Sequence, residues 1–175
     1  LPEAQMDRFL MKVMIDYPAV EYEVRVIELV RGEEVEANAP SGAEEESTGE
    51  RSQPIRVAQQ AVFDARREIG QIQVAPAVER YMADLVYATR TPARYGEDLD
   101  RWIDVGGSPR ASLALDKCGR THAWMNGRDY VDPEDIHAVI HDVLRHRLML
   151  SYEAQGEGVS ADGVTDKILE QVALP

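Results

Sequence analysis

Residues 105–111 read VGGSPRA. Gly106 and Gly107 free the backbone, Ser108 offers a hydroxyl to the orphan amides of a helix start, and Pro109 suits the first helical position. A helix therefore opens here. Ala111, Ala114, Leu115, Cys118 and Met125 continue it on one apolar face to Asn126-Gly127, a natural C-terminal stop. The residue that does not suit a helix start is Arg110, because a cation in the first turn meets the positive end of the helix dipole. Two partners can offset that penalty: a nearby acid, or a bound anion such as a phosphate held by the helix amides and the guanidinium together.

Working outward, the same periodicity predicts a mostly α-helical chain. Downstream, DPED opens a helix with Asp132 as N-cap, Pro133 at N1 and Asp135 at the capping-box position, burying Ile136, Val139, Ile140, Val143 and Leu144. A weaker helix from Thr165 to about Val172 places Val164, Ile168, Leu169 and Val172 on one side. Upstream, Ala58, Ala61, Val62, Ala65 and Ile69 form one stripe and Val78, Tyr81, Met82, Leu85, Val86 and Thr89 another after Pro76, and these two faces are expected to pack together. A short helix carries Val20, Val24, Ile27 and Val30, with Glu21 and Arg25 as an i,i+4 pair.

FLMKVMID, residues 9–16, is almost wholly apolar and reads as a β-strand covered on both faces. Nothing else reads as sheet, so the strand's partners are expected upstream of Leu1. Between Glu33 and Gln53 the acids outnumber the apolar residues, which predicts a disordered surface loop, a solvated linker or a patch for a basic partner.

The chain has 175 residues and a formal net charge of −13. Seven of its acids fall between Glu33 and Glu50, where no Lys or Arg occurs. This balance argues against nucleic acid and anionic lipid as partners. No run approaches the roughly 18 apolar residues of a membrane helix. The single Cys118 cannot form an internal disulfide and reads as a buried, reduced thiol, from which a cytoplasmic location is expected.

Phosphate-loop, dinucleotide and nucleophile-elbow motifs are absent from the chain, as is any cysteine pair for zinc. His137 and His141 have metal-ligand spacing but share a polar flank with Glu134 and Arg145 and lack the H-E-x-x-H glutamate, so no metal site is expected. His122 and His146 read as packing or hydrogen-bonding residues. Arg8, in EAQMDRF, reads alone as a surface arginine paired with Asp7.

Taken together, LPEAQMDRFLMKV, YPAVEYEV, LVYATRTP, GGSPRASLAL, NGRDYVDPEDI and VLRHRLML occur in an order that resembles the MoxR family of AAA+ ATPases. GGSPRASLAL and EAQMDRF carry the resemblance most specifically. It implies a helical bundle, the AAA+ lid, over residues 18–175, with residues 1–17 closing an α/β ATPase core as one leading strand. It further implies that Arg110 is the sensor 2 residue acting in cis on ATP, with Gly107, Ser108 and Pro109 beside it on the phosphate side. Arg8 looks like the arginine finger offered in trans to a neighbouring subunit. Mg²⁺-ATP would be held with an upstream core, and the chain alone is expected to be monomeric, inactive and without tightly bound nucleotide. The partners implied are that core, identical subunits in a ring, a hexamer, and protein clients that are remodelled or matured. Where the family commonly has Gly-Ala, this chain has Gly106-Gly107, a change expected to be tolerated. The rival reading is a non-enzymatic helical interaction module.

Overall fold

Helix signals that agree at several levels, cap, stripe and stop, fold as read. The computed structural model describes residues 3–37 and 56–175. In chain order the elements are α1 (Glu3–Met6), α2 (Val20–Ala37), α3 (Gln59–Ile69), α4 (Pro76–Arg90), α5 (Glu97–Trp102), β1 (Ile103–Val105), α6 (Pro109–Met125), α7 (Pro133–Leu144), β2 (Met149–Leu150), α8 (Tyr152–Gly156) and α9 (Ala161–Gln171). They divide into two units, residues 1–13 with 58–175, and residues 14–57.

In the larger unit α6 lies along α7, α4 packs on α6 and α9, and α9 closes against α7. The core is made of Leu85 and Val86 from α4, Ala111 and Leu115 from α6, Ile136, Ile140, Val143 and Leu144 from α7, and Val164 and Ile168 from α9. α6 and α7 approach closely at Gly119, where a Cβ would stand 2.6 Å from the Cδ1 of Ile136. Both expected helix starts are present. Ser108 caps α6, its hydroxyl accepting the Arg110 amide at 3.1 Å, and the Asp132 amide donates to the Asp135 carboxylate at 2.8 Å in the capping box of α7. Gly127, with φ of 72°, supplies the left-handed turn that stops α6. Cys118 is buried, and burial pushes its thiol pKa up.

Several expectations need correction. Residues 9–16 form no strand: the backbone bends at Phe9–Leu10, has no regular structure from 11 to 19, and leaves Phe9, Val13, Met14 and Ile15 exposed. A strand exists only in a ladder, and among the described residues none lies beside this segment. Its carbonyls are taken instead by donors of residues 145–147, and the Lys12 amide donates to Asp142 O at 2.8 Å. The sheet that does form was not foreseen: β1 and β2 pair antiparallel, Ile103 opposite Leu150.

α3 and α4 do not pack face to face. α3 buries no residue and lies on α6, where the Trp124 indole donates to Glu68 at 2.8 Å. Its stripe is largely alanine and offers little area, whereas the larger side chains of α4 are claimed by α6 and α9. Met125 is 73% exposed rather than buried, because it sits in the fraying last turn of α6. The last helix begins earlier than expected, at Ala161 with Ser160 as its cap, and the short helices α5 and α8 escaped the periodicity reading because each is under two turns.

In the smaller unit α2 runs 18 residues, so Glu33–Ala37 is helical rather than loop. The rest of the expected disordered loop, residues 38–53, lies outside the described residues. Val20, Val24, Ile27 and Val30 are all exposed, and Arg25 lies over the Tyr22 ring, 6.0 Å from its centroid, rather than on Glu21.

Candidate functional site

The Gly-Gly element is set by the C-terminal turn of α4. Thr89, fully buried, donates its hydroxyl to Val86 O at 2.6 Å and accepts the Gly107 amide at 2.9 Å. Arg90 Nε donates to Gly107 O at 2.6 Å. Gly106 passes so close that a Cβ there would lie 2.3 Å from the Thr89 carbonyl oxygen and 2.5 Å from its carbon. Neither atom can yield without moving α4. Gly106→Ala is therefore expected to cost about 2–3 kcal/mol, the upper range for overpacking against a rigid wall, and to displace the start of α6. At Gly107 an added Cβ meets Ala111 Cβ at 3.2 Å, so Gly107→Ala should stay within about 1 kcal/mol. Urea denaturation of the two variants, side by side, measures the contrast.

Beyond the cap, the Ser108 hydroxyl donates to Asp7 Oδ2 at 2.8 Å and Arg110 Nη1 reaches the same oxygen at 3.3 Å. The acid that offsets the helix-start cation is Asp7, from the segment just before Arg8. Its other oxygen, Oδ1, accepts from Arg147 Nε at 3.2 Å. Burial pushes Asp7 upward, but the hydrogen bonds from Ser108 and Arg110 and the charge of Arg147 outweigh it, and its pKa lies below the ordinary 3.8. Arg147 is the deeply buried member of the cluster, with its side chain 2% exposed. Burial lowers its pKa against the pull of Asp7, although a guanidinium stays protonated in any ordinary buffer.

Arg8 is exposed, and its guanidinium has no ion pair or hydrogen bond among the described residues. Asp7 pairs with Arg110 and Arg147 rather than with Arg8. Arg8, Arg110, Lys117 and Arg147 line one open groove of about 290 Å³, floored by Phe9, Leu10, Leu113 and Ala114, with Asp7 as its one carboxylate. Four cations against one acid, in a chain of net charge −13, mark a local preference for anions. Ser108 faces a neighbouring cavity of about 400 Å³, with Asp7, His146 and Arg147. Gly107 turns its amide inward to Thr89, and Pro109 has no amide proton to offer.

The histidines are each taken up locally. His137 Nε2 meets the Tyr81 hydroxyl and His141 Nε2 meets Asp166, both at 2.7 Å, so the two rings answer different partners. His122 Nδ1 lies 2.6 Å from Asp135, whose buried carboxylate also receives both terminal nitrogens of Arg128. Against its burial, those bonds and the Asp132 amide hold Asp135 at a pKa of about 2. His146 donates through Nε2 to Phe9 O at 3.2 Å, and burial lowers its pKa from 6.5.

All three lowered groups, Asp7, Asp135 and His146, bind protons more readily when unfolded, so acid favours unfolding. Stability is expected to decline as pH falls below 6.5, where unfolded His146 takes up its proton, and to drop again below 3.8 as the unfolded carboxylates protonate. Urea unfolding from pH 8 to pH 3 checks both limbs, and a variant His146→Gln should flatten the first.

Sequence reasoning identified Arg8 and Arg110, and the structure brings them to one groove. It gave Asp7 to Arg8 and Thr89 to a helix stripe rather than to the site, and it assigned no role to Arg90 or Arg147. Asp7 and Arg147 both lie within quoted motifs, but only the tertiary fold shows that residues 140 positions apart share a bond.

The AAA lid domain model matches residues 99–168. Chaperone MoxR1 of Mycobacterium tuberculosis is 38% identical over 176 residues, a span covering all of this chain and 42% of that protein. Protein MoxR of Paracoccus denitrificans is 33% identical over 167 residues, 91% of this chain and 47% of that one. Among solved structures, one from Cytophaga hutchinsonii, described as a candidate ATPase, superposes with a TM-score of 0.81 at 35% identity, over all of this chain and 49% of that one. The chain thus spans about half the length of the relatives it matches. No helix among the described residues is long and apolar enough to cross a membrane.

Proposed function

We propose that this chain, whose residues 99–168 match the AAA lid domain and which is similar to MoxR proteins along its length, is part of a MoxR-type AAA+ ATPase and directs two arginines at ATP in a larger protein that couples hydrolysis to the remodelling or maturation of other proteins. The observation that carries this reading is the groove in which Arg8, without a protein partner among the described residues, stands beside Arg110, held only by a long 3.3 Å contact to Asp7. Phosphoryl transfer is catalysed mainly by positioning and charge neutralisation, and exposed guanidiniums poised at a cationic groove are suited to that task.

In this reading Arg110 is the sensor 2 residue and Arg8 the arginine finger, and subunits assemble into a ring, a hexamer, so that a finger reaches a neighbour. The 175 residues contain no G-x-x-x-x-G-K-[ST] stretch, so the phosphate loop and the Mg²⁺ ligands come from residues outside them. The residues present fit the anionic end of the nucleotide. Asp7 acts as the resting counter-ion of Arg110, and a phosphate competes with it for the same guanidinium. Movement of the lid on hydrolysis passes the energy to the client. The location is cytoplasmic.

The test is steady-state ATP hydrolysis by the complete gene product beside Arg110→Ala and Arg8→Ala, with ATP binding measured separately. Loss of one charge-assisted phosphate contact at Arg110 is expected to lower turnover about tenfold to a hundredfold. Turnover unchanged in both variants would make the arginines structural and leave the helical interaction module as the better account.

A further inference from the structure

We propose that Arg147 is a positioning residue for Arg8: a buried guanidinium clamp that fixes the backbone on both sides of that exposed arginine. The proposal rests on the reading of Arg8 as a phosphate-directed group.

Arg147 follows the end of α7, where its own amide closes the turn on Leu144 O at 2.8 Å. A guanidinium has five N–H donors in a planar fork. All five are used. Nε donates to Asp7 Oδ1 at 3.2 Å, Nη1 to Leu10 O at 3.2 Å and to Val143 O, and Nη2 to Asp7 O at 3.3 Å and Phe9 O at 2.6 Å. Three of these acceptors are the main-chain carbonyls of residues 7, 9 and 10, which bracket Arg8. The fork therefore replaces the ladder this segment lacks, and it does so around an arginine whose own side chain has no ion pair or hydrogen bond among the described residues.

Through Asp7 the clamp extends to the hydroxyl of Ser108 and to Arg110, so the segment carrying Arg8 and the start of α6 share one carboxylate. Farther along, the Lys12 amide is held by Asp142 O and the Lys12 carbonyl by Arg145 Nη1 at 2.6 Å. These contacts do not involve Arg147. They anchor the segment's far end when the clamp is altered, so the effect of removing it falls on residues 7–10. A lysine at 147 keeps the charge but has three donors on a single atom, and cannot span a carboxylate and four carbonyls.

The test compares steady-state ATP hydrolysis by the complete gene product with Arg8→Ala, Arg147→Lys and the double variant, thermal unfolding being recorded for each. Arg147→Lys is expected to lower kcat about tenfold to a hundredfold, as misplacement of a reacting group does, with KM for ATP within about twofold. In the Arg8→Ala background the further loss should be much smaller than in the wild-type background, because the main group that Arg147 positions is then gone. Losses that multiply in the double variant, or wild-type turnover in a folded Arg147→Lys, overturn the clamp while leaving Arg8 in its role. Wild-type turnover in Arg8→Ala removes the reading beneath it, and the clamp falls with it. Should Arg147→Lys fail to fold, Arg147→Gln, whose amide keeps two of the five donors, takes its place and the same non-additivity with Arg8→Ala decides.

Discussion

Arg8→Ala in the complete gene product is expected to lower ATP turnover by about a thousandfold, the lower end of what an arginine finger contributes in related NTPases, with ATP binding nearly unchanged. The split follows from its setting. Arg8 is exposed and unpaired among the described residues, so its removal breaks no internal bond and should leave stability within about 0.5 kcal/mol. A loss of turnover without loss of stability is the signature of a group that acts on a ligand rather than on the fold. Subunit mixing then separates the arginines. If Arg8 acts in trans, Arg8→Ala subunits regain activity when mixed with subunits whose phosphate loop is disabled, because the latter supply the missing finger. Arg110 assigned in cis should show no such rescue. Its presence in the same groove as Arg8 is the reason to run both mixtures, since rescue of Arg110→Ala would mean that one γ-phosphate meets both side chains.

Asp135→Ala carries the largest expected effect on stability, a loss of about 3 kcal/mol or more by urea denaturation. The carboxylate is fully buried and joins three elements: the Asp132 amide at its own helix start, His122 on α6, and Arg128 in the intervening turn. Removing it orphans the amide and takes the counter-ion from Arg128 in one step. His122→Ala removes a single, half-exposed partner and is expected to cost about 1 kcal/mol. If Asp135→Ala cost no more than His122→Ala, the carboxylate would be a replaceable cap rather than the junction of α6 and α7.

Local signals were read well because their physics is local. Ser108-Pro109 and Asp132-Pro133 begin α6 and α7 as their side chains and missing amide dictate, and the stripes of α4 and α7 lie in the core. Residues 9–16 are apolar enough for a strand and form none. An apolar run is compatible with a strand, but whether it becomes one depends on a neighbour to complete the ladder, and the neighbour this segment finds is a turn bristling with Arg145, His146 and Arg147.

At the site the same division holds. The sequence by itself determined that a helix begins beside Arg110 at an electrostatic disadvantage, and that Arg8 lies in a motif of its own. Which acid offsets that disadvantage, and which buried cation holds the backbone around Arg8, was decided only by tertiary structure. Asp7 lies 103 residues from Arg110 and 140 from Arg147, and no periodicity reaches so far; only the close packing of the lid helices brings one carboxylate within hydrogen-bond distance of both.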